Sequence, residues 1–316
     1  MTESGAGPVK FGLLVWNQYT DWPAMRATAI HADELGYDDI WTWDHLYPIV
    51  GDWQGPMLEP YLVLGGWAEV TQQARLGLMV GANTFRNPAL TAKMITTLDH
   101  LSDGRAMLGI GGAWFEREHV AFGFEFGGSP GERLRWLEEA VAIMRGMLHG
   151  ERPSGDRYYA TREVLNNPAP VQPHLPLLVG GGGVKKTLRI VARYADACNV
   201  GGGFESVKHK DEVLRQHCAE VGRDESEIER TASMGVCIIR DDPADAQRVF
   251  EETFRHNGNA RPWEDQLVGT PQQVADNLRP YLGIGFRHFS VGCPPPHDAE
   301  SMERLIREVK PMLEGS

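Results

Sequence analysis

Cysteine is scarce in this sequence. Four occur in 316 residues, Cys198, Cys218, Cys237 and Cys293, widely spaced and with no C-x-x-C pair. That spacing excludes a disulfide framework and paired-cysteine zinc sites, and it fits reduced, buried thiols in a cytoplasmic chain. Basic residues are also in the minority, 31 against 43 acidic ones, for a net charge of −12. The balance disfavours unspecific binding to nucleic acid or anionic membrane, so neither is expected as a partner. No apolar run reaches membrane-spanning length. The opening MTESGAGPVK lacks the apolar stretch of a signal peptide and reads as a flexible leader over 1–8. Familiar catalytic signatures are missing as well. FEREHVAFG gathers Glu116, Glu118 and His119 without the H-E-x-x-H spacing or its inverse, so no metal is expected. There is no G-x-S-x-G elbow, and neither GIGGAW nor GGGGVKK completes a G-x-G-x-x-G or P-loop pattern.

What is present is a rhythm. Short apolar runs at 9–16, 38–44, 74–81, 105–112, 176–183, 196–203, 230–239 and 286–292 predict strands. Between and after them, 22–37, 59–73, 87–104, 129–150, 184–195, 206–222, 243–258, 270–285 and 298–313 have helical periodicity, with Pro88 near one start and Gly104 just past its end. Regular β-α alternation implies a parallel sheet with helices outside it. Eight such units favour a closed (β/α)8 TIM barrel in one domain over 1–316. The excess over the roughly 250 residues of a plain barrel falls in 45–58, 113–128, 151–175 and 259–269. The Pro- and Asn-rich 151–175 stretch reads as a β-rich insertion.

A barrel places its active site at the C-terminal ends of the strands. The residues there include Asn17, Asp44 with His45, and glycines at 111–112, 180–183 and 201–203. Glycine clusters let backbone approach a ligand closely, and several at one mouth favour a flat or phosphorylated ligand. GGGGVKKTLRI invites a phosphate, because a helix start offers free N–H groups and Lys185, Lys186 and Arg189 add positive charge. His45 is the histidine that directly follows a strand beside an acidic residue, and imidazole exchanges protons near neutral pH. Trp41 and Trp43 share a strand face, and Trp41 is read as packing.

Several stretches together resemble the luciferase-like monooxygenase superfamily, and within it the coenzyme F420-dependent oxidoreductases. They are FGLLVWNQ, HADELGYDDIWTWDHL, RLGLMVGANTFRNPALTAKMITTLDHLSDGRAMLGIGGAWFEREHVAFG, RLRWLEEAVAIMRGML, PLLVGGGGVKKTLRIVARYADACNV and VGTPQQVADNLRPYLGIGFRHFSV. The resemblance implies a bacterial-luciferase-type barrel binding a flavin or deazaflavin at its mouth, with coenzyme F420 expected and FMN the alternative. It puts Asp44 at the ring and His45 in proton handling. It implies a third-strand bulge at Met79–Val80, often with a non-prolyl cis peptide, behind the ring. Gly111 and Gly112 then lie beside the cofactor, and Gly180, Gly181, Gly182 and Gly183 hold its phosphate. Asn17, Trp43, Trp53 and Trp114 are the candidates for the substrate pocket, and Lys208 and Lys210 join the basic residues for the F420 tail. Two positions depart from the sugar-phosphate dehydrogenases of that branch: Trp114 stands where they carry glutamate, and Ile49 where they carry tryptophan.

The expected chemistry is hydride transfer between the deazaflavin and a small organic substrate, an alcohol or carbonyl, an imine or an activated alkene. His45 would act as general acid or base, with Asp44 orienting the ring or the imidazole. An FMN-dependent monooxygenase, a non-catalytic flavin-binding barrel and a glycosidase-like barrel are the competing readings. The last needs two strand-end carboxylates, for which Asp44 and Glu116 are the candidates. A homodimer is compatible with the sequence.

Overall fold

The computed structural model describes residues 7–259 and 265–315, so the expected leader lies outside the described residues apart from Gly7 and Pro8. The strands in chain order are β1 (Lys10–Val15), β2 (Asp39–Thr42), β3 (Arg75–Leu78), β4 (Gly81–Ala82), β5 (Ala106–Gly111), β6 (Leu177–Gly180), β7 (Ala197–Val200), β8 (Glu229–Ile239), β9 (Leu267–Gly269) and β10 (His288–Cys293). β1, β2, β3, β5, β6, β7, β8 and β10 pair in parallel in that order, and β10 bonds to both β8 and β1, closing an eight-stranded barrel. β4 resumes the third strand beyond Met79–Val80 and pairs with β5, while β9 pairs in parallel with the end of β8.

The helices are α1 (Trp22–Leu35), α2 (Pro60–Ala68), α3 (Pro88–Leu101), α4 (Glu116–Phe122), α5 (Pro130–Leu148), α6 (Thr187–Tyr194), α7 (Phe204–Val221), α8 (Pro243–His256), α9 (Pro271–Leu282) and α10 (Ala299–Arg304). A π-helical turn, Leu305–Val309, then leads into α11 (Lys310–Glu314). Proline in the first turn, where its missing N–H costs nothing, recurs behind a capping side chain. Asp21, Asn87, Ser129 and Asp242 each accept a backbone N–H at such a start, and Thr270 forms a full capping box with Gln273.

Two apolar layers result. One lies between strands and helices; the other fills the barrel interior with Trp16, Trp41, Trp43, Met79, Met107 and their neighbours. Trp41 explains two glycines on the flanking strands. A Cβ at Gly12 would sit 2.7 Å from its indole nitrogen, and one at Gly77 2.6 Å from its ring. Bulk on β2 is thus matched by absence on β1 and β3, as close packing requires.

At the N-terminal ends of the strands the barrel is sealed by charge. Arg75 Nε lies 2.5 Å from Asp39 Oδ1, His288 Nε2 2.5 Å from Asp39 Oδ2, and Lys10 Nζ 2.7 Å from Glu229. Burial alone would lower the His288 pKa, but Asp39 and Glu229 outweigh it and raise it to about 9. Burial likewise pushes Asp39 up, and His288 with Arg75 holds it below the usual carboxylate range.

Two sequence expectations need correction. The 151–175 segment forms no strand beyond a single antiparallel bridge, Gly155 with Thr161. Its polar groups find partners on helices instead. Glu139 accepts the Tyr158 N–H at 3.0 Å, Asn166 donates to Thr96 at 2.9 Å, and Gln172 donates to Asp99 at 2.6 Å. The 113–128 segment, read as connection, contains α4, which supplies part of the site below.

Candidate active site

β2 delivers Trp43, Asp44 and His45 to the mouth in succession. Trp43 is buried, its ring 4.5 Å from that of Trp16. Asp44 is buried too, and its two oxygens have different fates. Oδ2 accepts the Ala82 N–H and an Arg86 N–H, both at 2.7 Å. Oδ1 is buried and has no hydrogen-bond partner among the described residues. A buried carboxylate oxygen left so is costly, and a ligand N–H would satisfy it.

The imidazole of His45 is held by Glu118, not by Asp44. His45 Nδ1 lies 2.7 Å from Glu118 Oε1, and Glu118 Oε2 accepts the Leu46 N–H at 2.8 Å. The Glu118 side chain is 1% exposed. A carboxylate on Nδ1 fixes the tautomer and the ring plane, so Nε2 is the nitrogen offered to a molecule in the cavity. This corrects the orienting role expected of Asp44 toward the imidazole. Sequence reasoning weighed Glu118 only as a metal ligand, and no local signal places a helix residue against one 73 positions earlier.

The Met79–Val80 peptide is cis, as the resemblance implies. Val80 packs tightly beneath the mouth. A Cβ at Gly111 would come 2.7 Å from one Val80 methyl, and one at Gly180 2.6 Å from the other. These two glycines make room for the bulge as well as lining the cavity. Gly112 is backed by Leu134, and Gly183 by Thr187.

Together these residues enclose a cavity of about 570 Å³, within the range of small-molecule sites. Asp44, His45, Met79, Val80, Gly111, Gly112, Gly180, Gly181, Gly183, Trp43 and Trp114 all line it. Trp114 is 60% exposed and stands edge-on to His45 at 5.6 Å, forming a rim. Three expected residues lie elsewhere. Gly182 does not line the cavity; it abuts the end of Lys210, whose Nζ donates to the Gly201 carbonyl. Asn17 is buried behind the wall, where Nδ2 donates to Leu58 O at 2.7 Å and Trp43 O at 3.3 Å. Trp53 sits outside, against Tyr47 and under the guanidinium of Arg117.

The positive charge at the mouth also differs from expectation. α6 begins at Thr187, with 184–186 in a turn, and Lys185 and Arg189 are exposed to solvent. Lys186 donates to Gly131 O. Among the described residues, the arginine that lines the cavity is Arg133 of α5, which no sequence motif marks. It donates to the carbonyls of Ala113 and Phe126 and stacks 3.8 Å over the Phe126 ring. Burial lowers its pKa, with Glu116 opposing. Gly181, Gly183 and Thr187 line the same cavity, and with Arg133 they give it groups suited to an anion.

A closed parallel barrel with an interrupted third strand and a cavity at its mouth defines a cofactor-sized ligand site of the TIM-barrel class. The sequence profile of the luciferase-like monooxygenase family matches residues 9–268, and the chain belongs to that family. An F420-dependent glucose-6-phosphate dehydrogenase of Intrasporangium calvum is 29% identical, over 90% of this chain and 93% of its own length. Among solved structures, the coenzyme F420 dependent tetrahydromethanopterin reductase of Methanopyrus kandleri matches with a TM-score of 0.80 at 19% identity, covering 97% of this chain and all of that one. An F420-dependent secondary alcohol dehydrogenase in complex with an F420-acetone adduct matches with a TM-score of 0.82 at 18% identity, covering 97% and 99%. The two structures share the fold.

Proposed function

We propose that this protein is an F420-dependent oxidoreductase acting on a small organic substrate. The observation that carries the reading is the pairing, in one cavity, of the partnerless Asp44 Oδ1 with a His45 imidazole locked on its far nitrogen by Glu118. The names of full-length relatives support the choice of F420. The chemistry of the bound deazaflavin is reversible hydride transfer at a ring carbon to or from an alcohol, carbonyl, imine or activated alkene.

The residues present fit that group. Asp44 Oδ1 would accept a ring N–H, and Met79–Val80 would support one ring face. Gly181, Gly183, Thr187 and Arg133 would hold the anionic chain, with no need of Lys185 or Arg189. His45 Nε2 would give a proton to the substrate oxygen or nitrogen in reduction and take it in oxidation. Glu118 keeps Nδ1 protonated and the ring aimed. Trp43 and Trp114 limit water at the reacting atoms.

The test is a titration of the purified protein with F420 and with FMN, followed by a single turnover of the reduced form that binds. Tight F420 binding and hydride transfer to a carbonyl or alkene acceptor are expected. Binding of FMN alone, with oxygen consumption, would replace this reading by a flavin monooxygenase.

A further inference from the structure

A second cavity of about 460 Å³ adjoins the first and shares Trp43, Met79, Val80, Gly180 and Gly181 with it. Its far wall carries Asn199, Ser233, Gly235 and Asp265. Asn199 gives one Nδ2 N–H to Thr231 Oγ1 at 2.9 Å, and its Oδ1 accepts from Ser233 Oγ at 2.7 Å. Ser233 has thereby spent its proton and offers lone pairs. Asp265 adds a carboxylate, set against Gly203, where a Cβ would lie 3.2 Å from Oδ1. The described lining residues include no lysine or arginine. Lys210, whose field reaches Asp265, donates to the Gly201 carbonyl and abuts Gly182 and Gly202. Among the described residues, Ser233 and Asp265 therefore turn acceptors toward the lobe and Asp265 brings a negative charge to it, with the Lys210 ammonium on the far side of Gly201 and Gly202.

We infer that this second lobe receives the part of the substrate that bears hydrogen-bond donors and no negative charge, a hydroxyl or an amine, and that it rejects phosphate monoesters. The inference rests on the preceding reading, in which the Arg133 side of the first cavity is taken by the cofactor's anionic chain. A phosphate in the second lobe would meet Asp265 with like charge and Ser233 with lone pair against lone pair. Both leave half-buried acceptors without a donor and discriminate by repulsion.

Three matched secondary alcohols test it: 1-amino-2-propanol, propane-1,2-diol and 2-hydroxypropyl phosphate. Their dissociation constants are measured by calorimetry on the F420-loaded and the unloaded protein, for the wild type, Asp265→Asn and Asp265→Lys. The amine and the diol should bind the wild type at least about ten-fold more tightly than the phosphate ester, Asp265→Asn should narrow the gap, and Asp265→Lys should reverse it. F420 affinity should stay within about two-fold in both variants. The inference is overturned if the phosphate ester binds as well as the diol or if the order ignores Asp265→Lys. It is also overturned if no probe binds, or if the variants lose F420 instead, which would give the lobe to the cofactor. Failure of the wild type to bind F420 strikes the preceding reading alone, because the change in probe order on going from wild type to Asp265→Asn and Asp265→Lys in the unloaded protein still judges the lobe.

Discussion

The two ends of the barrel handle buried charge in opposite ways. At the base, Lys10, Asp39, Arg75, Glu229 and His288 come from the first residues of their strands and meet in ion pairs, with Arg75 Nη2 buried and without a hydrogen bond among the described residues. At the mouth, one buried oxygen of Asp44 has no hydrogen-bond partner among the described residues and Arg133 is bonded to carbonyls. Charges that meet in short ion pairs have little left to offer a ligand. A cluster that stays open has a binding energy in reserve, at some expense in stability. Both ends are charged; the base pairs its acids and bases with one another, whereas the mouth sets Asp44, His45 and Arg133 around a cavity.

Perturbing the base should give the largest effect. Asp39→Ala leaves His288 and Arg75 without their shared carboxylate and should cost about 3–5 kcal/mol, read as a lowered urea midpoint with an unchanged slope. If stability falls as little as it does for a surface substitution, the base is not the stabilising end. The same cluster sets a pH window. The His288 pKa is raised to about 9 in the folded chain, so its contribution is complete below the unfolded value of about 6.5 and disappears as pH rises through about 9. Asp39 and Glu229, both held low, contribute above about pH 4 and lose that contribution as pH falls. Thermal melts from pH 5 to 10 should therefore show a decline on the alkaline side of about 2–3 kcal/mol, and Asp39→Ala should flatten it.

At the mouth the expected losses are of function. His45→Ala should lower turnover by about 10²-fold while the melting temperature and F420 affinity hold. Glu118→Gln, which keeps the shape, should lower kcat with little change in KM and alter the pH profile of kcat. Gly180→Ala drives a methyl against Val80, and overpacking of that kind costs about 1–3 kcal/mol. A matching loss of F420 affinity would tie the glycine to the bulge. The smallest effects separate the cations. Arg133→Met should weaken F420 binding by about ten-fold, whereas Lys185→Ala and Arg189→Ala should stay within about two-fold. The reverse ranking would return the anion site to the start of α6.

Much of this was legible in the chain. The eight strands appear as apolar runs because a parallel strand buried on both faces must be apolar throughout, and each was expected within a few residues of where it lies. Asp44, His45 and the glycines near 111 and 180 were visible because strand ends in a barrel converge whatever their separation in sequence. Asn17 and Trp53 also follow strand ends or their loops, yet one turns into the wall and the other out to the surface. Side-chain direction there depends on neighbours such as Leu58, Tyr47 and Arg117, which periodicity does not report. The 151–175 segment misled for a related reason, since its polar groups bond to helix side chains and so need no partner strand.

The sequence by itself determined the alternation of elements, the closed parallel barrel and the strand ends at which chemistry is gathered, because those follow from local periodicity and capping. Tertiary structure alone decided that Glu118, not Asp44, holds the imidazole, that Arg133 lines the cavity while Lys185 and Arg189 face water, and that one oxygen of Asp44 is left over. Those choices depend on which side chains meet across 73 residues or across the barrel mouth. Such meetings are settled by packing and by the cost of leaving a buried polar atom unpaired, quantities that exist only once the chain has folded.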